Sequence, residues 1–225
     1  MKRILVLGAG RSATTLIRFL LAAAAERDWH VVVGDLDVDT AARKVDGHPN
    51  GSAIRFDVHD SARRRRSIQE ADLVISLLPP PLHPLVADDC VASRVHFASA
   101  SYVSAAMREL SEAAERAGVI LLNEMGLDPG IDHMSAMASL DQLRAEGAHI
   151  SAFETFTGGL VAPQSDDNPW GYKFTWNARN VVLTGQGGVK FKHNGRFKYI
   201  PYHRLFGRYE RLSIPGYGHF EGYPN

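Results

Sequence analysis

Asn123 to His133 reads Asn-Glu-Met-Gly-Leu-Asp-Pro-Gly-Ile-Asp-His and sets two carboxylates, Asp128 and Asp132, around a Pro-Gly pair. Proline pre-sets φ, glycine admits conformations that other residues resist, and aspartate can bond the backbone ahead of it. Asp128-Pro129-Gly130 is therefore turn chemistry. A carboxylate at such a bend can take a proton from a bound molecule, or it can cap the helix that follows, as Asp132 would. A second chemistry-bearing stretch lies near the amino end, where Gly8-Ala9-Gly10-Arg11-Ser12-Ala13 matches Gly-x-Gly-x-x-Ala. In that pattern Gly8 makes a tight turn, Gly10 lets the backbone approach a pyrophosphate, and Ala13 permits close packing of helix on strand. Amides at the helix start would hold the phosphates.

Both stretches need a strand before them and a helix after them, and the hydrophobic pattern supplies these. Ile4-Leu5-Val6-Leu7 is a continuous apolar run, the signature of a strand buried on both faces of a parallel sheet. Leu16, Ile17, Leu20 and Leu21 follow at helical spacing. His30 to Val33 forms a second strand and ends in Gly34-Asp35, about 20–25 residues past the glycines, where an acidic side chain accepts bonds from ribose hydroxyls. A carboxylate there repels a 2′-phosphate, so Asp35 favours NAD over NADP. Asp37 is a second candidate for the ribose, and capping of the next helix is the structural alternative for Asp35.

Further strands are expected over 53–58, 72–78, 95–98 and 119–122, with helices over 63–69, 104–117 and 134–143. The four successive arginines Arg63 to Arg66 read as a solvated helical face. Ser76-Leu77-Leu78-Pro79 ends the fourth strand, and its prolines swing the backbone over the sheet edge, where it would cover the nicotinamide end of a dinucleotide. His83 reads as a packing or capping residue at the start of the next helix, with catalysis as its alternative role. Alternation of strands and helices implies a doubly wound, mostly parallel α/β sheet over residues 1–123.

Residues 124–225 change character. Residues 149–157 alternate apolar and polar positions as a half-buried strand does. Asn194-Gly195 between aromatic and basic residues signals a hairpin, and 213–223 is rich in strand formers. The expected second domain is α+β with a mixed or antiparallel sheet.

Composition narrows the function. Lys+Arg and Asp+Glu both number 25, so no global field favours nucleic acid or a membrane surface. The apolar stretch 16–25 is interrupted by Arg18 and is too short to span a bilayer. One cysteine, Cys90, and no secretory pattern after Met1-Lys2-Arg3 lead to the expectation of a cytoplasmic protein. The ten histidines show no metal-ligand spacing, so no metal is expected. A hydrolase of the Ser/His/Asp type lacks its Gly-x-Ser-x-Gly elbow.

Taken together, these motifs resemble the saccharopine dehydrogenases of the glutamate-forming type and their bacterial relatives. The likeness is carried by Gly8-Ala9-Gly10, Val74 to Pro79, Ser101-Tyr102-Val103-Ser104, Asn123 to His133, Gly158-Gly159-Leu160 and Asp167 to Trp176. It covers essentially the whole chain. The resemblance implies a Rossmann domain for the nicotinamide cofactor and a second domain that closes over an amino-acid-derived substrate. It implies oxidation of a secondary amine to an imine that water cleaves, or the reverse reductive condensation. It places Tyr102 and Asp128 on the family's substrate-pocket tyrosine and aspartate and Ser101 and Gly159 in the lining of the same pocket, with dimerisation through the second domain. Hydride leaves only when the amine nitrogen is neutral, so a carboxylate kept from water between domains would take its proton, and a phenol beside it would orient the amine.

Three departures stand out. Thr157 replaces a cysteine before the paired glycines, Asp35 stands where the family places a basic residue suited to NADP, and the chain stops at Asn225, short of an arginine that pairs with substrate carboxylate. A C-terminally truncated chain is the expectation. Carboxynorspermidine or another carboxylated polyamine is the rival substrate. A non-catalytic dinucleotide sensor and an inactive fragment are the rival functions.

Overall fold

The computed structural model describes residues 1–179 and 187–224. They form two compact units, Met1–Phe153 and Glu154–Asn225, each described here by itself. The first contains six parallel strands: β1 (Lys2–Leu7), β2 (Trp29–Asp35), β3 (Gly51–Arg55), β4 (Leu73–Ser76), β5 (His96–Ser99) and β6 (Leu121–Leu122). Their order across the sheet is β3-β2-β1-β4-β5-β6, the doubly wound arrangement of a Rossmann domain. The order reverses between β1 and β4, which pair from Ile4↔Leu73 to Leu7↔Ser76. That reversal opens a crevice at the carboxyl edge, and the glycine loop leaves β1 directly into it.

Strand periodicity builds the two faces. Ile4 and Val6 join Val31, Val33, Ile17, Leu20 and Leu21 in one core cluster, beneath the helices α1 (Ala13–Ala24) and α2 (Val38–Val45). Leu5 and Leu7 point the other way and join Val32, Val74 and Phe97. Above that face lie α3 (Ser61–Gln69) and α4 (His83–Ser93), contributing Ile68, Val86, Ala87 and Cys90. A strand flanked by two such layers must be apolar on both sides, which is why β1 reads as an unbroken hydrophobic run.

Several boundaries differ from expectation, each for a physical reason. The third strand covers 51–55 rather than 53–58. Phe56 and Val58 are buried in the loop beyond it, so their hydrophobicity reports core membership and not strand pairing. The helix expected over 104–117 is two, α5 (Ala105–Glu109) and α6 (Ser111–Ala117), joined at Leu110. Gly118, with φ of 68°, ends the second. The helix expected over 134–143 is longer: α7 spans Ile131–Ala145.

The arginine run is not a purely solvated face. Arg64 is buried, its Nε donating at 2.6 Å to Asp89 on α4, while Arg65 Nε donates to the other oxygen of Asp89 at 3.0 Å. Arg63 to Arg66 turn through a helix, so one of the four must face the neighbouring helix, and a carboxylate waits there for it.

Among its described residues, the second unit holds two antiparallel hairpins. In one, β7 (Val189–His193) pairs β8 (Arg196–Ile200) around Asn194-Gly195, both residues at positive φ. In the other, β9 (Glu210–Ile214) pairs β10 (Gly218–Gly222). Val189, Ile200 and Leu205, the last on α8 (Tyr202–Leu205), form its small core. The strand expected over 149–157 is absent: those residues are irregular and nearly all exposed. Alternation says which residues could share a face, but a strand also requires a neighbour to accept its backbone bonds. The aromatics Trp170, Tyr172, Phe174 and Trp176 are exposed, Trp170 by 87%.

Candidate functional site

At the switch point, Gly8 takes φ of +98°, and a Cβ there would sit 3.0 Å from the Leu77 carbonyl oxygen, so the β1 and β4 loops meet at van der Waals distance only through glycine. Gly8 N donates to Gly34 O at 2.8 Å. Gly10 is exposed, with nothing within 4 Å of where a Cβ would stand, and Ala13 is fully buried. Ser12, at the start of α1, makes no side-chain cap bond, so its hydroxyl does not occlude the helix end. Glycine turn, open backbone approach, buried packing alanine and uncapped helix start fit the phosphates of a dinucleotide. Of the other predicted cofactor residues, Arg11 is exposed at the loop, Ser76 is buried, Leu77 and Leu78 are half-buried, and Pro79 is exposed at the end of β4.

Asp35 does something the sequence did not suggest. Its Oδ2 accepts Ala9 N at 2.7 Å and its Oδ1 accepts Asp37 N at 3.0 Å. It thus ties the end of β2 to the glycine loop. The cap of α2 is Asp37, whose side chain accepts from Asp39 N. Next to it lies a cleft of about 760 Å³ lined by Gly10, Arg11, Arg18, Arg43, Lys44 and His48 among others. Lys44 donates to Thr14 Oγ1, and Arg43 donates to Thr40 Oγ1 at 2.7 Å. The basic residues of α1 and α2 were missed from sequence because each reads singly as a surface charge. What marks them is their shared face beside the glycine loop.

The second cluster is at the carboxyl ends of β5 and β6, on the same sheet edge, because all six strands run parallel. Backbone bonds knit the two loops: Met125 N to Ser99 O at 3.0 Å and Glu124 N to Ser101 O at 3.1 Å. Side chains add Val103 N to Glu124 Oε1 and Ser99 Oγ to Asn123 Oδ1. Tyr102 is thereby brought against the acidic bend, and its hydroxyl donates to Asp128 Oδ1 at 2.7 Å. The phenol is pushed up from its ordinary pKa, first by desolvation and then by this bond, so Tyr102 is a hydrogen-bond donor rather than a base.

The bend itself depends on Gly130, at φ of +154°, where a Cβ would fall 2.1 Å from Gly126 O. Gly126 N donates to Pro129 O, and Ile131 N returns to Gly126 O, closing a tight knot that carries Asp128 at its tip. Asp128 is exposed at the tip of the bend. Asp132 does not occupy the cap position of α7, which Gly130 fills. From the first turn it reaches back, accepting Gly130 N at 3.1 Å and bonding His133 Nδ1 at 2.7 Å. Asp128, Asp132 and His133 bring their polar atoms within 4.8 Å of one another. Gly159 lies in the second unit, exposed in an irregular segment.

His83 joins the two clusters. It is buried, bonded through Nδ1 to Ser76 Oγ and through Nε2 to Ser101 Oγ, both at 2.9 Å. Burial lowers its pKa to about 4. An unfolded histidine, with a pKa near 6.5, binds a proton at acid pH that the folded one refuses, so stability is complete above about pH 6.5 and declines as pH falls toward 4. Urea midpoints measured across that range should fall for the native protein, and His83→Gln should flatten part of the slope. Cys90 is also buried, its thiol pushed up to about 12 by burial and by the Asp89 charge, which removes it from the reactive groups.

Comparison with known proteins places the two domains in one family. Residues 4–122 match the family model described as the saccharopine dehydrogenase NADP binding domain, and residues 126–225 match the saccharopine dehydrogenase C-terminal domain. The chain is similar to the saccharopine dehydrogenase [NADP(+), L-glutamate-forming] of Schizosaccharomyces pombe, 37% identical over 100% of this chain and 49% of that protein. It is also similar to the alpha-aminoadipic semialdehyde synthase of Arabidopsis thaliana, 36% identical over 88% of this chain and 19% of that protein. Among solved structures, apo saccharopine dehydrogenase (L-Glu forming) from Saccharomyces cerevisiae superposes with a TM-score of 0.86 at 32% identity, covering 100% of this chain and 50% of that one. The chain therefore spans about half the length of the fungal relatives it matches. The NADP(+) in their names lends no support to the NAD preference drawn from Asp35. Among the described residues no helix is long and apolar enough to cross a membrane. With both domain models matched in order and a relative 37% identical over the whole of the present chain, this chain belongs to the saccharopine dehydrogenase family.

Proposed function

We propose that this chain is the dinucleotide-binding and proton-handling part of an NADP-dependent oxidoreductase acting on the CH–NH bond of a secondary amine of the saccharopine type. The observation that carries this reading is the 2.7 Å bond from Tyr102 to Asp128 on the sheet edge that also bears the glycine loop. A bound nicotinamide would supply the acceptor for the hydride on the carbon attached to the amine nitrogen. Asp128, with its carboxylate fixed by the Tyr102 donor, takes the proton that the amine must lose. Tyr102, remaining a phenol, orients the nitrogen's lone pair. Ser101 and Gly159 belong to the substrate pocket by family likeness. The cofactor-binding domain is residues 1–123, and residues 124–225 form the domain that binds substrate and dimerises.

NADP is favoured over NAD by the basic cleft. Asp35 directs both carboxylate oxygens to backbone amides. Arg43 and Lys44 stand on the lining beside Gly10, where a 2′-phosphate would meet positive charge. Fluorescence titration should show tighter binding of NADPH than of NADH. Lys44→Ala should weaken NADPH about tenfold, the value of one charge-assisted hydrogen bond, and leave NADH within about twofold. Equal losses for both nucleotides, or preferential binding of NADH, would overturn the NADP assignment. For the reaction, the chain and its coding region's full product are assayed for NADPH formation with saccharopine and with carboxynorspermidine. Turnover of neither by the full product sinks the reading.

A further inference from the structure

Ser76, His83 and Ser101 form a side-chain chain that runs from the end of β4 to the residue before Tyr102. His83 is held in orientation by Phe97, which meets its ring edge to face with centroids 6.0 Å apart. A neutral imidazole carries one N–H, so one ring nitrogen donates and the other accepts. Ser76 decides which. Its hydroxyl is fully buried, and its side-chain partner among the described residues is His83 Nδ1. A buried hydroxyl proton without an acceptor is costly, so Ser76 O–H donates to Nδ1 and the ring proton resides on Nε2. Nε2–H then donates to Ser101 Oγ, and the Ser101 O–H is left to donate elsewhere. Ser101 is half-buried, and its chain neighbour Tyr102 faces Asp128.

We propose that His83 is a positioning residue: fixed as its Nε2–H tautomer by Ser76, it makes Ser101 a hydrogen-bond donor to an anionic substrate oxygen, the carboxylate of an amino-acid-derived amine. The choice of substrate class rests on the function proposed above. The tautomer does not. Burial keeps the ring neutral down to acid pH, so the polarity of the chain is constant across the physiological range. An Nδ1–H tautomer would reverse it, turning Ser101 into an acceptor that repels a carboxylate.

The tautomer is read on the full chain by long-range 15N–1H correlation of the histidine rings at pH 6 to 7. A bare Nδ1 and protonated Nε2 at His83 in the native protein, becoming a mixture in Ser76→Ala, are expected. A protonated Nδ1 or an imidazolium would overturn the proposal. Binding of saccharopine in the presence of NADPH, followed by calorimetry, tests the consequence. Glutamine can place its amide nitrogen where Nε2 stands, whereas asparagine can reach only the place of Nδ1. His83→Gln should therefore bind within about threefold of native, while His83→Asn and Ser101→Ala weaken binding about tenfold, the value of one hydrogen bond to a charged group. Equal weakening in Gln and Asn variants would refute the donor role. A native protein that shows the Nε2–H tautomer yet binds neither saccharopine nor carboxynorspermidine overturns the functional reading, and Ser101's carboxylate partner with it, while the tautomer assignment stands.

Discussion

Asp89→Ala is expected to lower the free energy of unfolding by about 3–5 kcal/mol, the loss typical of removing one partner from a buried ion pair. Asp89 is 3% exposed in its side chain and Arg64 is 8%, and they meet at 2.6 Å between α3 and α4. Arg64 also donates to the Val58 carbonyl, so the guanidinium is fixed at two points. Removing the carboxylate leaves a cation out of water with a single neutral acceptor. Against a total stability of about 5–15 kcal/mol for a domain, that loss is large. Arg65 makes the second bond to Asp89 from a largely exposed position, so Arg65→Ala should cost under about 1 kcal/mol. Urea denaturation of both variants decides the matter. A change below about 1 kcal/mol for Asp89→Ala would show that water reaches Arg64 and that the pair is not a structural clamp.

The largest effect on activity is expected at Asp128. Asparagine has nearly the shape of aspartate and still accepts from Tyr102, but it takes no proton from an amine. Asp128→Asn should reduce amine-dependent NADPH formation by about 10²–10⁴-fold, the usual contribution of a general base. Tyr102→Phe retains the base and loses the group that fixes it, so a smaller fall, about tenfold, is expected for one lost hydrogen bond to a charged group. Neither residue is on the glycine loop, so NADPH affinity should be unchanged in both, which separates chemistry from cofactor binding. Rates within about twofold of native for Asp128→Asn would remove Asp128 from the proton path and return the bend to a purely structural role.

The two predictions draw on parts of the chain that were unequally readable. Ile4 to Ala13 was readable because a strand buried on both faces must be continuously apolar, and because the turn after it requires glycine at a positive φ. Ile4 to Leu7 meet the first condition and Gly8 the second. Asp128 and Tyr102 were paired through a family likeness, since 26 residues separate them. Strand order closes that gap: β5 and β6 are neighbours, so the loops that leave them at the carboxyl edge adjoin. Burial of Arg64 was unreadable for a related reason. Four like residues in a row look alike until the helix is turned and one of them faces α4.

By itself, then, the order of residues determined the local elements around the glycine turn and the acidic bend, because periodicity and turn chemistry act over a few positions. Tertiary structure alone decided where Asp35 directs its oxygens, that Arg43 and Lys44 share the cleft beside Gly10, and that Ser76, His83 and Ser101 connect. The physical reason is that a polar side chain takes whatever partner packing brings within about 3 Å, and that partner is chosen by topology rather than by sequence distance.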